Sequence, residues 1–157
     1  MTDAAPTPAQ IRDARARLGT AVHTTPVWSW PAAGLERWRG TEGEVVLKLE
    51  ALQATGSFKA RAALLHLSAL DDAQRARGVT AVSAGNHAMA VAYAATARGS
   101  SAKVVMPRSA DPARIARCRS MGAQVVLVDD VHAAFAEAER IEQQEGRYFV
   151  HPFEGHT

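Results

Sequence analysis

Lysine is scarce in this chain: three residues, at 48, 59 and 103, stand against fifteen arginines. Chemistry that needs a reactive amine therefore has three candidates. The single cysteine, Cys118, excludes an internal disulfide, and on an apolar helix face it reads as a buried, inert thiol. No charged start followed by an apolar run marks residues 1 to 10 as an export signal, so the cytoplasm is the expected compartment. Apolar stretches are short and broken by Arg, Asp or Gly, and none approaches the ~20 residues of a membrane-spanning helix. Aromatics make up only 6% and are not interleaved with basic residues as a single-strand stacking surface requires. The formal charge of +2 comes from acids and bases that alternate instead of forming a stripe. Neither nucleic acid nor a membrane is expected as a partner. Among the six histidines only a loose His151, Glu154, His156 grouping has any metal-like spacing, and no metal site is expected.

What is present is an ordinary folding composition, 47% hydrophobic and 22% charged. Gln10 to Leu18 reads as a short helix stopped by Gly19, and Thr24-Thr25-Pro26 turns the chain into extended structure. Glu44 to Leu49 reads as a strand. From Ser57 a helical period sets in, with Phe58, Ala62, Leu65 and Ala69 on one stripe and Leu64, Leu67 and Leu70 widening it. From Gly78 onward strand and helix alternate: Val79–Val82, a helix from His87 to Arg98, Lys103–Met106, a helix from Pro112 to Gly122 capped by Asp111, Gln124–Val128, a helix from Val131 to Glu145, then Tyr148–Val150. Glycines 78, 99, 122 and 146 punctuate these units. The pattern predicts an α/β fold, an open parallel sheet flanked by helices.

In such sheets ligands gather where strands end and helices begin, because free N–H groups and the helix dipole converge there. Two segments occupy that position: Gln53-Ala-Thr55-Gly56-Ser57-Phe58-Lys59-Ala-Arg61, and Ser83-Ala84-Gly85-Asn86-His87-Ala88. The first is similar to the lysine motif of the fold-type II pyridoxal-phosphate enzymes, and the second to their substrate-carboxylate loop. Val105-Met106-Pro107, Met121-Gly122-Ala123-Gln124-Val125-Val126-Leu127 and Phe149-Val150-His151-Pro152-Phe153 resemble the same family. His87, where cysteine-synthase relatives carry Thr, points to the threonine/serine dehydratase branch.

The resemblance implies pyridoxal 5'-phosphate as cofactor and a small amino acid as substrate. An amine held on a helix beside an apolar, ring-sized slot sheds water and can condense with the cofactor aldehyde. Lys59 takes that role and that of general base, with Phe58 against the ring and Asn86 on its hydroxyl. Ser57, Ser83, Gly85, Asn86 and His87 are the expected substrate contacts, Gly85 leaving room for close backbone approach. The implied reaction eliminates water from threonine or serine and then hydrolyses the product, which releases ammonia and leaves a 2-oxo acid. Two alternatives stand beside it: a serine-racemase-like enzyme, and a catalytically dead fragment that oligomerises or holds ligand. Residues 1–77 would belong to a large, cofactor-lysine domain, 78–150 to a small α/β domain, and 151–157 to the return toward the large one. In the family a second half supplies the phosphate loop, so exposed surfaces here imply a homo-oligomer. Lys48 and Lys103 are expected at strand margins, and Arg114, Arg117 and Arg119 on a solvated helix face.

Overall fold

The computed structural model describes residues 5–30 and 44–152. Helix α1 (Pro8–Leu18) opens on a capping box in which Thr7 and Gln10 satisfy each other's amides, and Leu18 is its buried anchor. Strands β1 (Val27–Ser29) and β2 (Val46–Lys48) pair antiparallel in a two-stranded ribbon. Helix α2 (Lys59–Ala69) follows, then a short α3 (Asp72–Arg77), whose Asp71–Gln74 capping box begins it.

The remaining elements alternate. β3 (Val79–Val82), α4 (Asn86–Ala97), β4 (Ala102–Pro107), α5 (Pro112–Ser120), β5 (Gln124–Val128), α6 (Val131–Glu145) and β6 (Tyr148–Phe149) build a four-stranded sheet in the order β5-β4-β3-β6. Every pair in it is parallel. Asp111 caps α5 through the Ala113 amide with Pro112 at its first position, and Asp130 caps α6 through Ala133. Gly146 ends α6 in the left-handed conformation. The expected parallel α/β architecture is what forms.

Strand alternation divides the core. Val79, Ala81, Val104 and Met106 face one side, where α4, α5 and beyond them α2 pack, through Ala63, Leu64, Leu67, Val91 and Cys118. Val82 and Val105 face the other, against Ala134, Ala138 and Ile141 of α6. Successive strands β3, β4 and β5 step in one direction with their helices on one face; the return from β5 to β6 carries α6 across the opposite face, as right-handed crossovers require. β3 therefore lies between connections that run opposite ways, and its carboxyl end is the topological switch point where open α/β sheets hold ligands.

One expectation needs correcting. The buried face of α2 is Ala60, Ala63, Leu64 and Leu67, whereas Phe58, Ala62 and Ala69 are exposed and Leu65 only half-buried. Alanine-rich α4 accepts the Ala63–Leu64–Leu67 side because its own small residues let the two helices approach closely, and tertiary packing overrides the other stripe. Lys103 sits near the start of β4, at the strand margin as expected, and its amine pairs with Glu145.

Candidate active site

The segment before α2 is braced on three sides. Buried Gln53 exchanges hydrogen bonds with the main chain of residue 23: its Oε1 accepts from the His23 amide at 2.7 Å and its Nε2 donates to the His23 carbonyl at 3.1 Å. Gly56, at φ +75°, turns the chain back as its amide donates to Gln53 O. Arg61 forms a bidentate pair with Glu50, Nε and Nη2 each at 2.8 Å from a carboxylate oxygen, and Thr25 Oγ1 donates to the same carboxylate at 2.6 Å. The Arg61 guanidinium holds the Glu50 carboxyl down at about 2, with burial opposing it. These contacts hold the first turn of α2 against the 3₁₀ turn at Glu50–Leu52.

Lys59 is the first residue of α2 and half-buried. Its Nζ donates to the Pro152 carbonyl at 3.2 Å and lies 5.7 Å from the centre of the Phe58 ring, which is 60% exposed. His87, in the first turn of α4, is buried, and its Nε2 is 2.9 Å from the Val150 carbonyl. Because a carbonyl only accepts, Nε2 is a ring nitrogen that carries a hydrogen. Burial lowers the His87 pKa; the Val150 carbonyl opposes this, and the positive charge of Lys59 adds to it. Ser83 Oγ accepts from the Gly85 amide at 3.0 Å, and Asn86 is exposed at the helix start.

Thr55 and Gly56 from the lysine segment and Asn86 and Met89 from α4 line a single cavity of about 280 Å³. The two motifs, some thirty residues apart in sequence, thus meet at one cavity, through Thr55, Gly56 and Asn86 but not through Lys59, Ser83, Gly85 or His87. Thr55, which lines this cavity, and Ser57, two residues on, are buried with hydroxyls that have no hydrogen-bond partner among the described residues. An orphaned buried hydroxyl costs free energy and is a place for a ligand to bind. The donor set, an amine on an exposed aromatic ring, an exposed amide and two orphaned hydroxyls, fits an aldehyde-bearing aromatic cofactor such as pyridoxal 5'-phosphate. A larger groove of about 810 Å³ between α1 and α2 holds none of the expected site residues.

Three features were not legible beforehand. Arg114, Arg117 and Arg119 are all exposed, as a solvated helix face requires, but Arg114 and Arg117 also line the cavity. The Val150 and Pro152 carbonyls anchor the two key side chains. Met89 forms an apolar part of the wall. Cys118 is fully buried, and burial pushes its thiol up to about 11, which leaves it inert. Glu154 and His156 of the loose metal-like grouping lie outside the described residues. No helix among the described residues is long and apolar enough to cross a membrane.

Residues 18–157 match the family model described as pyridoxal-phosphate dependent enzyme. The chain is 56% identical over 146 residues to phenylserine dehydratase of Ralstonia pickettii, covering 93% of this chain and 44% of that protein. It is 43% identical over 144 residues to L-threonine ammonia-lyase of Thermotoga maritima, covering 91% and 35%. Maize serine racemase superposes with a TM-score of 0.81 at 34% identity, covering 92% of this chain and 43% of that one. The chain spans less than half the length of each.

Proposed function

Because the chain belongs to the pyridoxal-phosphate dependent enzyme family, we propose that it forms the lysine-bearing part of a dehydratase, or ammonia-lyase, that converts a small β-hydroxy amino acid such as threonine or serine to a 2-oxo acid and ammonia. The observation that carries this reading is the convergence of Lys59 and His87 on neighbouring carbonyls beside a cavity that Asn86 shares with the lysine segment. The likeness to phenylserine dehydratase adds an aryl β-substituent to the candidates, and Met89 offers such a group an apolar wall.

The bound cofactor supplies an electron sink next to the substrate α-carbon. Lys59 Nζ would hold the cofactor and, as a base, would take the substrate α-proton. Phe58, with its exposed ring, and Asn86, exposed at the start of α4, would help to hold the cofactor. Ser57, Ser83, Gly85, Asn86 and His87 hold the substrate carboxylate at the amino terminus of α4, where the helix dipole favours an anion. Loss of the α-proton and the β-hydroxyl removes one water; hydrolysis of the released product restores it and frees ammonia. We place the protein in the cytoplasm as a homo-oligomer. Exposed Val27, Trp28, Trp30 and Val46 on the β1–β2 ribbon support a covered surface there. Residues 1–77 would serve the cofactor-lysine domain and 78–150 the substrate-loop domain.

Adding pyridoxal phosphate, reducing with borohydride and mapping the product by mass spectrometry tests the site. Modification concentrated at Lys59 is expected; labelling spread evenly over Lys48, Lys59 and Lys103 would favour a dead module. Turnover is assayed with threonine, serine and phenylserine for 2-oxo acid. The superposition with serine racemase supports a second reading, and appearance of D-serine without oxo acid would establish it.

A further inference from the structure

Gly85 sits at φ −135°, ψ −145°, a backbone that does not by its sign of φ demand glycine. What occupies the space of a side chain is an arginine from the neighbouring helix: Arg114 Nη1 lies 3.0 Å from where a Cβ on Gly85 would stand. The same nitrogen donates to the Ala84 carbonyl at 3.5 Å. Arg117, one turn further along α5, reaches the other motif, its Nη2 4.0 Å from the Cβ position of Gly56.

The Ala84 carbonyl and the Gly85 amide belong to one peptide unit, and in a trans peptide the C=O and N–H point in opposite directions. This unit is held at both ends, its oxygen by Arg114 and its hydrogen by Ser83 Oγ at 3.0 Å. Flipping it would need φ of residue 85 to change sign, which glycine permits at little cost and any other residue resists. A side chain at residue 85 would push Arg114 aside from the Ala84 carbonyl, and glycine leaves the peptide free to flip. A flipped unit would turn a carbonyl oxygen toward the side from which a carboxylate must approach, and like partial charges would repel it.

We propose that Arg114 is a positioning residue that locks the Ala84–Gly85 peptide in the orientation that receives the substrate carboxylate. This rests on the reading of Ser83–His87 as the carboxylate loop. Arg114 is exposed at the start of α5, so its replacement leaves the core intact.

The test is amide NMR on the ¹⁵N-labelled chain, titrated with L-serine as the carboxylate probe. Arg114→Ala should speed hydrogen exchange at Gly85 and weaken serine binding, each by about fivefold, the size of one hydrogen bond of modest strength. Arg114→Lys should recover part of both, and Arg119→Ala, which removes the same charge from the same helix, should change neither. Gly85→Ala separates locking from mere packing. In the wild-type background its methyl strikes Arg114 and weakens binding. In the Arg114→Ala background it has room and resists the flip, so it should restore Gly85 protection. Additive losses in the double variant, or a Gly85 amide untouched by Arg114→Ala, overturn the role of Arg114. A wild-type chain whose Ser83–His87 amides ignore serine overturns the functional reading instead, with the exchange results still judging the lock.

Discussion

Lys59 and His87 are anchored two residues apart on one strand end: the lysine amine donates to Pro152 O at 3.2 Å, and the histidine Nε2 lies 2.9 Å from Val150 O. A first turn of α2 and a first turn of α4 thereby meet over the segment that leaves β6. Whatever shifts residues 150–152 shifts both side chains together, and neither helix start can be tuned alone.

That coupling has a pH signature. His87 is buried and neutral in the fold, and burial, helped by Lys59, His66 and His151, keeps its pKa below the ordinary 6.5. The unfolded chain therefore binds a proton at this position before the folded chain does, and stability falls as pH drops below 6.5 toward the folded value. His66, also lowered by burial, acts in the same direction. Thermal unfolding measured from pH 8 to 5, roughly the span in which histidine titrates, should show a steeper loss for wild type than for His87→Gln. Equal slopes would mean that His87 binds its proton as readily in the fold as in the unfolded chain.

The Glu50–Arg61 pair should matter more than a surface ion pair, because both partners are largely covered and the geometry is bidentate. Glu50→Gln leaves Arg61 facing a neutral amide and should cost about 1–3 kcal/mol in denaturant unfolding. The carboxyl, held at about 2 against an ordinary 4.5, contributes stability that is complete above 4.5 and fades as pH falls toward 2. Acid unfolding of the Gln variant should be flatter over that window. It should also lower the yield of borohydride-trapped Lys59, since the first turn of α2 loses a brace.

Gly78 closes α3 and opens β3 at φ +89°, and a Cβ there would lie 2.7 Å from Ser101 O and 2.3 Å from Arg147 Nη1. The arginine can move, but the carbonyl accepts the Val79 amide at the edge of the sheet and cannot. Gly78→Ala combines strain and clash and should cost about 2–4 kcal/mol. Gly99, also at positive φ with nothing within 4 Å of its Cβ position, is the control, with only the strain of about 1 kcal/mol expected on replacement. Melting temperatures of the two variants check the difference.

Much of this fold was readable from residues 78 to 150, because glycines with positive φ, aspartate caps and β-branched runs all agreed on the same boundaries. Legibility failed where two faces competed. On α2 both the Phe58–Ala62–Leu65 side and the Ala60–Ala63–Leu64–Leu67 side are apolar, and only the neighbouring α4 selects between them. The lysine and the Ser83–His87 loop stood out because both segments resemble motifs of the pyridoxal-phosphate family; a lone lysine on a helix otherwise reads as solvated. Arg114 and Arg117 did not, since a charged run on a helix ordinarily faces water and their targets, Ala84 and Gly56, are distant in sequence. The carbonyls of Val150 and Pro152 carry no side-chain signal at all.

With only three lysines, selectivity of labelling is a sharp measurement of the site. Lys103 is paired with Glu145, whose second oxygen also accepts from Arg147, so releasing its amine breaks a network. Lys48, on the exposed ribbon, donates to the Thr25 carbonyl. Lys59 alone of the three adjoins an exposed aromatic ring and the orphaned Ser57 segment. Lys59→Ala should therefore reduce trapped pyridoxal phosphate by at least about tenfold, whereas Lys48→Ala and Lys103→Ala leave most of it, a ratio worth about 1.4 kcal/mol of preference. Leu64→Ala gives a second handle, since it removes a fully buried contact one turn behind the amine and should cost about 3 kcal/mol of stability. If its folded fraction labels at Lys59 as well as wild type does, the amine's placement depends on the Glu50–Arg61 brace and not on helix packing.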